Sequence, residues 1–380
     1  MRDARGALAV VTGMAFAASM LYTGFALGRT LAFGRRRTPA GTATPPVSIL
    51  KPLHGCEPLL ADNLRSFCRQ DYPDYEVILG ARDPDDSALH VARQVAAESP
   101  ERVSIASAHA TTPHYANPKV DTLAALVPRA HGEILVFADS DMLVTPSYLR
   151  AIVAPFGDQR VGAVTCLYRG RPVEPTLASR LGAMANHQQF APSVLVAQAL
   201  TGLRFGFGAT IAIRRAVFDA VGGLDAIGVH LADDARLCAL VVERGLRVEL
   251  SDYVVENLVA EPSMAALLRH ELRWARTHRA LEPAGYAGLF LTFPIALALL
   301  YCIAAPRRVP ALIGLAAAFA LRAAQAHAAR TAFGAAELET LLIPVRDLLG
   351  ACVWLAGFGS RPVHWAGEAL RIDRSGTIVG

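Results

Sequence analysis

The chain has 380 residues, 53% of them hydrophobic and 18% charged, with a formal net charge of +4. That balance is too apolar for an ordinary water-soluble enzyme, and the absence of a long basic stretch with interleaved aromatics argues against nucleic acid as a partner. The six cysteines (Cys56, Cys68, Cys166, Cys238, Cys302, Cys352) are scattered without a C-x-x-C pair, which argues against a disulfide framework or structural zinc and for reduced thiols.

The first predicted element is an uncharged run over residues 7–27, long enough as a helix to cross the ~30 Å core of a bilayer. A cleaved signal peptide is the competing reading, but its apolar stretch is usually shorter and no convincing small-residue cleavage site precedes a mature start here. Arg29 and Arg35–Arg37 follow the run and predict that the chain after it is cytoplasmic, although Arg2 and Arg5 on the other side oppose this. Residues 1–34 are therefore read as an N-terminal transmembrane anchor.

Residues 45–282 alternate short apolar runs with amphipathic stretches. Strands are expected at 47–50, 76–79, 103–106 and 134–138, with helices at 59–69, 87–98 and 119–129 between them. Such alternation predicts a largely parallel sheet with helices on both faces, which binds ligands beyond the carboxyl ends of its strands. Asp83 follows the second strand, and Asp139-Ser140-Asp141 follows the fourth directly. A D-x-D occurs often by chance, but this one aims two carboxylates into the crevice, where they can share a divalent cation with a diphosphate.

Further along, residues 176–200 read as an apolar helix at the membrane interface with His187, Gln188 and Gln189 inside it. Asp233-Asp234 opens an amphipathic helix running to about Arg244. Either the pair favours the helix dipole or a carboxylate serves as general base toward a hydroxyl. In Arg269-His270-Glu271-Leu272-Arg273-Trp274-Ala275-Arg276, a zincin site fails because Trp274 stands where the second histidine belongs. Two readings remain: a basic helix leading to the membrane, or a guanidinium for a diphosphate beside an indole face for a sugar. Gly206-Phe207-Gly208 lacks the third glycine of a dinucleotide fingerprint, since residue 211 is Ile.

The C-terminal quarter, residues 284–360, carries three more apolar segments: 287–305, 309–321 running into Arg322, and 341–358 with Arg346 and Asp347 inside. The link Pro306-Arg307-Arg308 makes the first two a hairpin. Charges in such segments require pairing or a polar cavity, so the last two segments are bundled spans or re-entrant helices. Residues 361–380 are read as a tail.

The stretches Val47–Glu57, Asn117-Pro118-Lys119-Val120, Ala138-Asp139-Ser140-Asp141, Ala232-Asp233-Asp234 and His270-Glu271-Leu272-Arg273-Trp274 resemble glycosyltransferases of families 2 and 21. The resemblance is nearest to ceramide glucosyltransferases and their bacterial relatives associated with hopanoid biosynthesis. It implies a Rossmann-like GT-A nucleotide-sugar-binding domain over 45–282, a UDP-sugar donor, a lipid acceptor in the bilayer, Mg²⁺ or Mn²⁺, and inversion at the anomeric carbon. By the same resemblance Asp83 contacts uracil or ribose, Lys119 and Asp139 bind the donor, Asp141 with Asp139 holds the metal, and Asp234 is the catalytic base. Arg273 and Trp274 match the family's (Q/R)-x-x-R-W donor signature, in which His270 stands where Gln or Arg is usual.

The chain is thus expected to be a multi-pass enzyme of the bacterial inner membrane, with its catalytic domain in the cytoplasm. His270 and an Ala/Arg-rich composition tilt the acceptor toward a hopanoid polyol and the donor toward UDP-N-acetylglucosamine. Ceramide or diacylglycerol with UDP-glucose is the alternative. A polysaccharide synthase of the family usually carries Q-x-x-R-W and more membrane helices, and a non-catalytic scaffold would have no need of Asp83, Asp139, Asp141, Asp234 and Arg273 together.

Overall fold

The computed structural model describes residues 2–39, 41, 43–107, 114–305, 307–335, 339–359, 363–365, 368–372 and 376–379. In chain order, α1 (Arg2–Arg35) precedes β1 (Val47–Leu53), α2 (Leu60–Cys68), β2 (Tyr75–Ala81), α3 (Ser87–Glu98), β3 (Val103–Ser107), α4 (Pro118–Leu126) and β4 (Ile134–Phe137). Next come β5 (Met142–Leu143), α5 (Tyr148–Val153), β6 (Val161–Pro172), α6 (Leu177–Ala185), α7 (Ala191–Thr201), β7 (Ile211–Arg214), α8 (Arg215–Ala220), α9 (Asp233–Glu243) and β8 (Arg247–Val259). The last third holds α10 (Met264–Leu281), α11 (Pro283–Gly288), α12 (Pro294–Ala304), α13 (Arg308–Phe333) and α14 (Ile343–Ala356), then short strands β9 (Val363–Trp365), β10 (Glu368–Ile372) and β11 (Ile378–Val379). The chain divides into two units, one of Met1–Arg36, Arg169–Leu200 and Val259–Val363, the other of Arg37–Tyr168, Thr201–Leu258 and His364–Gly380.

The second unit is built on a sheet of order β3-β2-β1-β4-β7-β6-β8-β5. The first four strands are parallel, with Val47 opposite both Tyr75 and Ile134, and Val77 opposite Val103. They are the four strands expected from sequence, and Val47, Ile49, Leu50, Leu135 and Val136 are buried, as strands covered on both faces require. The expectation of a largely parallel sheet needs correction, because the other half is antiparallel: Phe137 pairs with Ile211, Thr165 with Ile211, and Met142 with Asn257. The cause is local. The chain enters β7 beside the exit of β4, where Asp139 N–H donates to Gly208 O at 2.9 Å, and so must run backward along it.

The first unit is helical. Among the described residues two helical segments, Gly6–Arg35 and Arg308–Phe333, are long and apolar enough to cross a membrane. The expected continuous span over 287–305 is instead broken: Pro283–Thr292 meets Pro294–Ala304 at a 70° bend. Pro294 lacks an N–H and holds Phe293 out of the helical region (φ −115°, ψ 62°), so the ladder cannot pass through. At 14 residues α14 is about 21 Å long, shorter than a bilayer core. Pro306, in the expected hairpin link, and much of the 361–380 tail lie outside the described residues. Leu181, Met184, Leu267, Ile295, Ala318 and Ile343 form the unit's apolar core. The expected helix over 176–200 is present as α6 and α7 joined through a π turn at Asn186–Phe190, capped by the Thr176 hydroxyl.

Candidate active site

Strand β4 is apolar along its length and ends where the sheet's ligand edge begins. Asp139 follows two residues later, after Ala138. Lys119 Nζ sits 2.6 Å from Asp139 Oδ1 and 3.7 Å from Asp233 Oδ2. Burial by itself would lower the lysine's pKa, but Asp139, Asp233 and Asp234 outweigh it and hold the ammonium well above its ordinary value. Asp141 is gripped from β8: its Oδ2 accepts from Asn257 Nδ2 at 2.7 Å and its backbone carbonyl from Leu258 N–H at 3.1 Å. Loss of hydration, then the charges of Asp139 and Glu57, push the Asp141 carboxyl up to about 7.

The expected helix at Asp233-Asp234 is α9, but neither aspartate is its N-cap; Ala232 stands there without a side-chain cap. Asp234 Oδ2 instead accepts from Gly208 N–H at 2.7 Å, and Oδ1 from Ala235 N–H at 2.8 Å. Burial, then the adjacent Asp233, raises its pKa to about 7. Asn117 ties this corner together. Its Oδ1 caps α4 by accepting from Lys119 N–H, while Nδ2 donates to His230 O at 2.8 Å, in the loop that leads to Asp233. Lys119, Phe137, Gly208, Asp233, Asp234 and Leu237 line one small crevice.

Four participants were not assigned a role from sequence. Lys51 is fully buried on β1, donates to Asp139 O at 2.7 Å and lies 3.6 Å from the Phe67 ring centroid. Burial lowers its pKa to about 7 against the opposing pull of Asp139, Asp141 and Glu57. Glu57, whose own pKa burial raises, keeps a buried Oε2 without a hydrogen-bond partner among the described residues. Asn257 orients Asp141. Gly208 lets the chain approach, since a Cβ there would collide with the Asp139 carboxylate and lie 2.9 Å from Lys119 Nζ. An apolar-strand pattern locates β1 but does not reveal which of its polar residues turns toward Asp139.

Asp83 is exposed after β2, and its carboxylate accepts from Asp85 N–H at 2.9 Å in a local turn. Three residues on, Asp86 caps α3 and accepts from Gly55 N–H at 2.9 Å, so this loop is held by local contacts of its own. His270, Arg273 and Trp274 lie on α10 in the helical unit. His270 Nδ1 is 2.7 Å from Glu261 Oε1, and its ring stands edge-on to Trp274 with centroids 4.6 Å apart. Trp274 is left 41% exposed.

Among the described residues no group of three or more His, Cys, Asp or Glu is arranged to hold a metal ion by itself. The donor set nevertheless fits a divalent cation shared with a ligand's phosphates. Asp139, Asp141 and Glu57 gather around Lys51, and Asp139, Asp233 and Asp234 around Lys119, so carboxylates outnumber these two cations, and one buried Glu57 oxygen has no hydrogen-bond partner among the described residues.

A parallel half-sheet that delivers an acidic turn into its ligand crevice, joined to an antiparallel half, is the GT-A glycosyltransferase fold. Mannosyltransferase PcManGT from Pyrobaculum calidifontis, solved with GDP-Man and Mn²⁺, superposes with a TM-score of 0.55 at 20% identity, covering 93% of this chain and 98% of that one. The chain belongs to glycosyl transferase family 21, whose profile matches residues 8–378. It is similar to ceramide glucosyltransferase 1 of Caenorhabditis elegans, 23% identical over 246 residues, which are 63% of this chain and 51% of the relative. Ceramide glucosyltransferase 3 of the same organism is 22% identical over 64% of this chain and 52% of that protein. The chain spans about half the length of these curated relatives.

Proposed function

We propose that the protein transfers a sugar from a UDP-sugar to a hydroxyl of a membrane lipid, with inversion at the anomeric carbon. The observation that carries this reading is the pairing of the Asp139-Ser140-Asp141 turn with Asp234 across Gly208. One carboxylate set suits a diphosphate and its cation, and the other, with a pKa near neutrality, suits a general base. Mg²⁺ or Mn²⁺ on Asp139 and Asp141 would supply positive charge against the diphosphate oxygens. Lys119 holds Asp139 in place and adds a second positive charge beside the donor. Asp234 takes the acceptor's proton on Oδ2 or Oδ1 as the hydroxyl attacks. Its hydrogen bonds from Gly208 and Ala235 fix its orientation beforehand. Asp83 takes the uracil or ribose, and Arg273 holds the leaving UDP while Trp274 stacks on a sugar face. His270, bonded to Glu261, orients that indole.

The acceptor we favour is a hopanoid polyol, with N-acetylglucosamine as the sugar, in a bacterial inner membrane with residues 45–282 on the cytoplasmic side. The His270 variant and the Ala/Arg-rich composition support it. Similarity to ceramide glucosyltransferases favours a second reading, glucose transfer to ceramide or diacylglycerol. Mass spectrometry of total lipids from cells with and without the protein separates the two. A new N-acetylhexosaminyl polyol supports the first, a hexosylceramide or hexosyl-diacylglycerol supports the second, and unchanged glycolipids contradict both.

A further inference from the structure

The helical unit contains a polar cluster enclosed by apolar helices. At Asn186–Phe190 the helix that begins at Leu177 opens into a π turn. This widened geometry occurs mostly as single turns and frequently at functional sites. His187 and Gln188 of this turn are buried, 6% and 1% exposed. Two buried arginines meet it. Arg322 on α13 donates from Nε to Asp347 Oδ1 at 2.9 Å, and from Nη1 to Gln325 Oε1 at 2.7 Å and Gln188 O at 3.2 Å. Arg346 on α14 pairs through both terminal nitrogens with Glu271. Gly350 lets Gln189 and Arg346 converge: a Cβ there would lie 3.0 Å from Gln189 Nε2 and 3.3 Å from Arg346 Nη2.

Despite these bonds, His187 Nδ1, Gln188 Oε1, Gln189 Nε2, Arg322 Nη2 and Arg346 Nε are buried without a hydrogen-bond partner among the described residues. Native interiors rarely leave so many unpaired polar atoms together without a ligand or ordered water. The cluster's own charges pair off, Arg322 with Asp347 and Arg346 with Glu271, and Arg169, whose charge also reaches His187, donates from Nη1 to Phe333 O at 2.9 Å. What the free atoms offer is three N–H donors, one carbonyl acceptor and an imidazole nitrogen able to do either. Hydroxyl and amide groups match that set. The flanking elements are those suited to lipid: α13 carries Arg322, and Tyr22 on α1 donates to Ser193 Oγ, which itself donates to Gln189 O.

We propose that this cluster binds the uncharged, hydroxyl- or amide-bearing head of a membrane lipid. Arg322, Arg346 and Gln189 donate to its oxygens, and Gln188 accepts from it. The inference rests on the reading that the acceptor is a lipid, and assigns recognition of its head to side chains of the helical unit.

Native mass spectrometry of the full chain in detergent, incubated with ceramide, dioleoylglycerol or dioleoyl phosphatidate, tests it. The neutral lipids should be retained about tenfold better than phosphatidate, and the near-isosteric Gln188→Met and Gln189→Met should each remove most of that preference while UDP binding is kept. Equal or better retention of phosphatidate by the wild type overturns the proposal without recourse to any variant. So do variants that shift only the melting temperature and retain neutral lipid normally, the behaviour of a water-bridged structural network. Lipid-dependent UDP release is read in parallel. Its absence alongside selective retention contradicts the transfer reading and leaves this site standing; its presence without selective retention does the reverse.

Discussion

Asp234 combines opposing demands in one side chain. It must be ionised to take a proton, yet burial and Asp233 raise its pKa to about 7. Turnover should therefore climb as pH rises through about 7. Stability carries the opposite sign. Between the ordinary carboxyl pKa of ~4 and about 7 the folded protein holds a proton that the unfolded chain releases, so this group weakens the fold progressively as pH rises across that window. Asp234→Asn should lower turnover by ~10²–10⁴-fold while leaving UDP-sugar affinity within a few-fold. The same variant should melt no lower than wild type at pH 8, with its relative advantage shrinking at pH 5. An equal loss of donor binding in calorimetry would move Asp234 from base to donor ligand. Gly208→Ala makes a second test at this scale, because the new Cβ must displace Asp139 or Lys119. Donor affinity should fall by about tenfold or more with the fold retained, and a silent substitution would show that the Gly208 approach does not shape the site. Asp139, Asp141 and Asp234 were legible because a carboxylate after an apolar strand or at a helix start stands out. Gly208 was not, since a close backbone approach leaves no side-chain pattern and its Gly-x-Gly fits no phosphate-loop spacing.

Elements were legible where their signals are local. The helix expected at 87–98 is α3 to the residue, opened by the Asp86 cap, and the four parallel strands lie where β-branched runs place them. The antiparallel half escaped notice because β6 and β8 gain their place from partners far along the chain rather than from alternation of their own. The π turn has no propensity signature at all. Its only trace in sequence was the polar run His187-Gln188-Gln189 inside an apolar helix. On α10 two readings of the Arg273-Trp274 pair still separate cleanly. A membrane-facing basic helix reads charge alone, so Arg273→Lys would be nearly silent. A guanidinium that grips a diphosphate uses its planar fork, and the same change should cut turnover by about tenfold or more at equal membrane binding. Initial rates against donor concentration decide between them.

At the scale of the molecule, an acidic, sheet-based unit and a helical unit with two helical segments long and apolar enough to cross a membrane share one chain. The proposed function has the UDP-sugar donor enter from the cytoplasmic side. Reporter fusions near residues 45 and 260 should therefore both read cytoplasmic, as the arginines after α1 dictate, and a signal from the opposite side at either point would remove the donor from reach. The bend at Pro294 was illegible as such because one proline does not interrupt the uncharged, apolar character of residues 287–305. The buried arginines were easier to anticipate, since charges inside apolar helices demand partners and Arg322 and Arg346 have them.

The central claim is that the Asp139–Asp141 turn and Asp234 form one metal-assisted sugar-transfer site acting on lipid. Its most direct test is UDP release by the full chain reconstituted in vesicles, with UDP-glucose or UDP-N-acetylglucosamine as donor and hydroxylated lipid added or withheld. The account predicts release that needs the lipid, stops with EDTA, returns with Mg²⁺ or Mn²⁺, and is lost in Asp234→Asn and Asp141→Ala. Release that persists through exhaustive chelation and in both variants would contradict it.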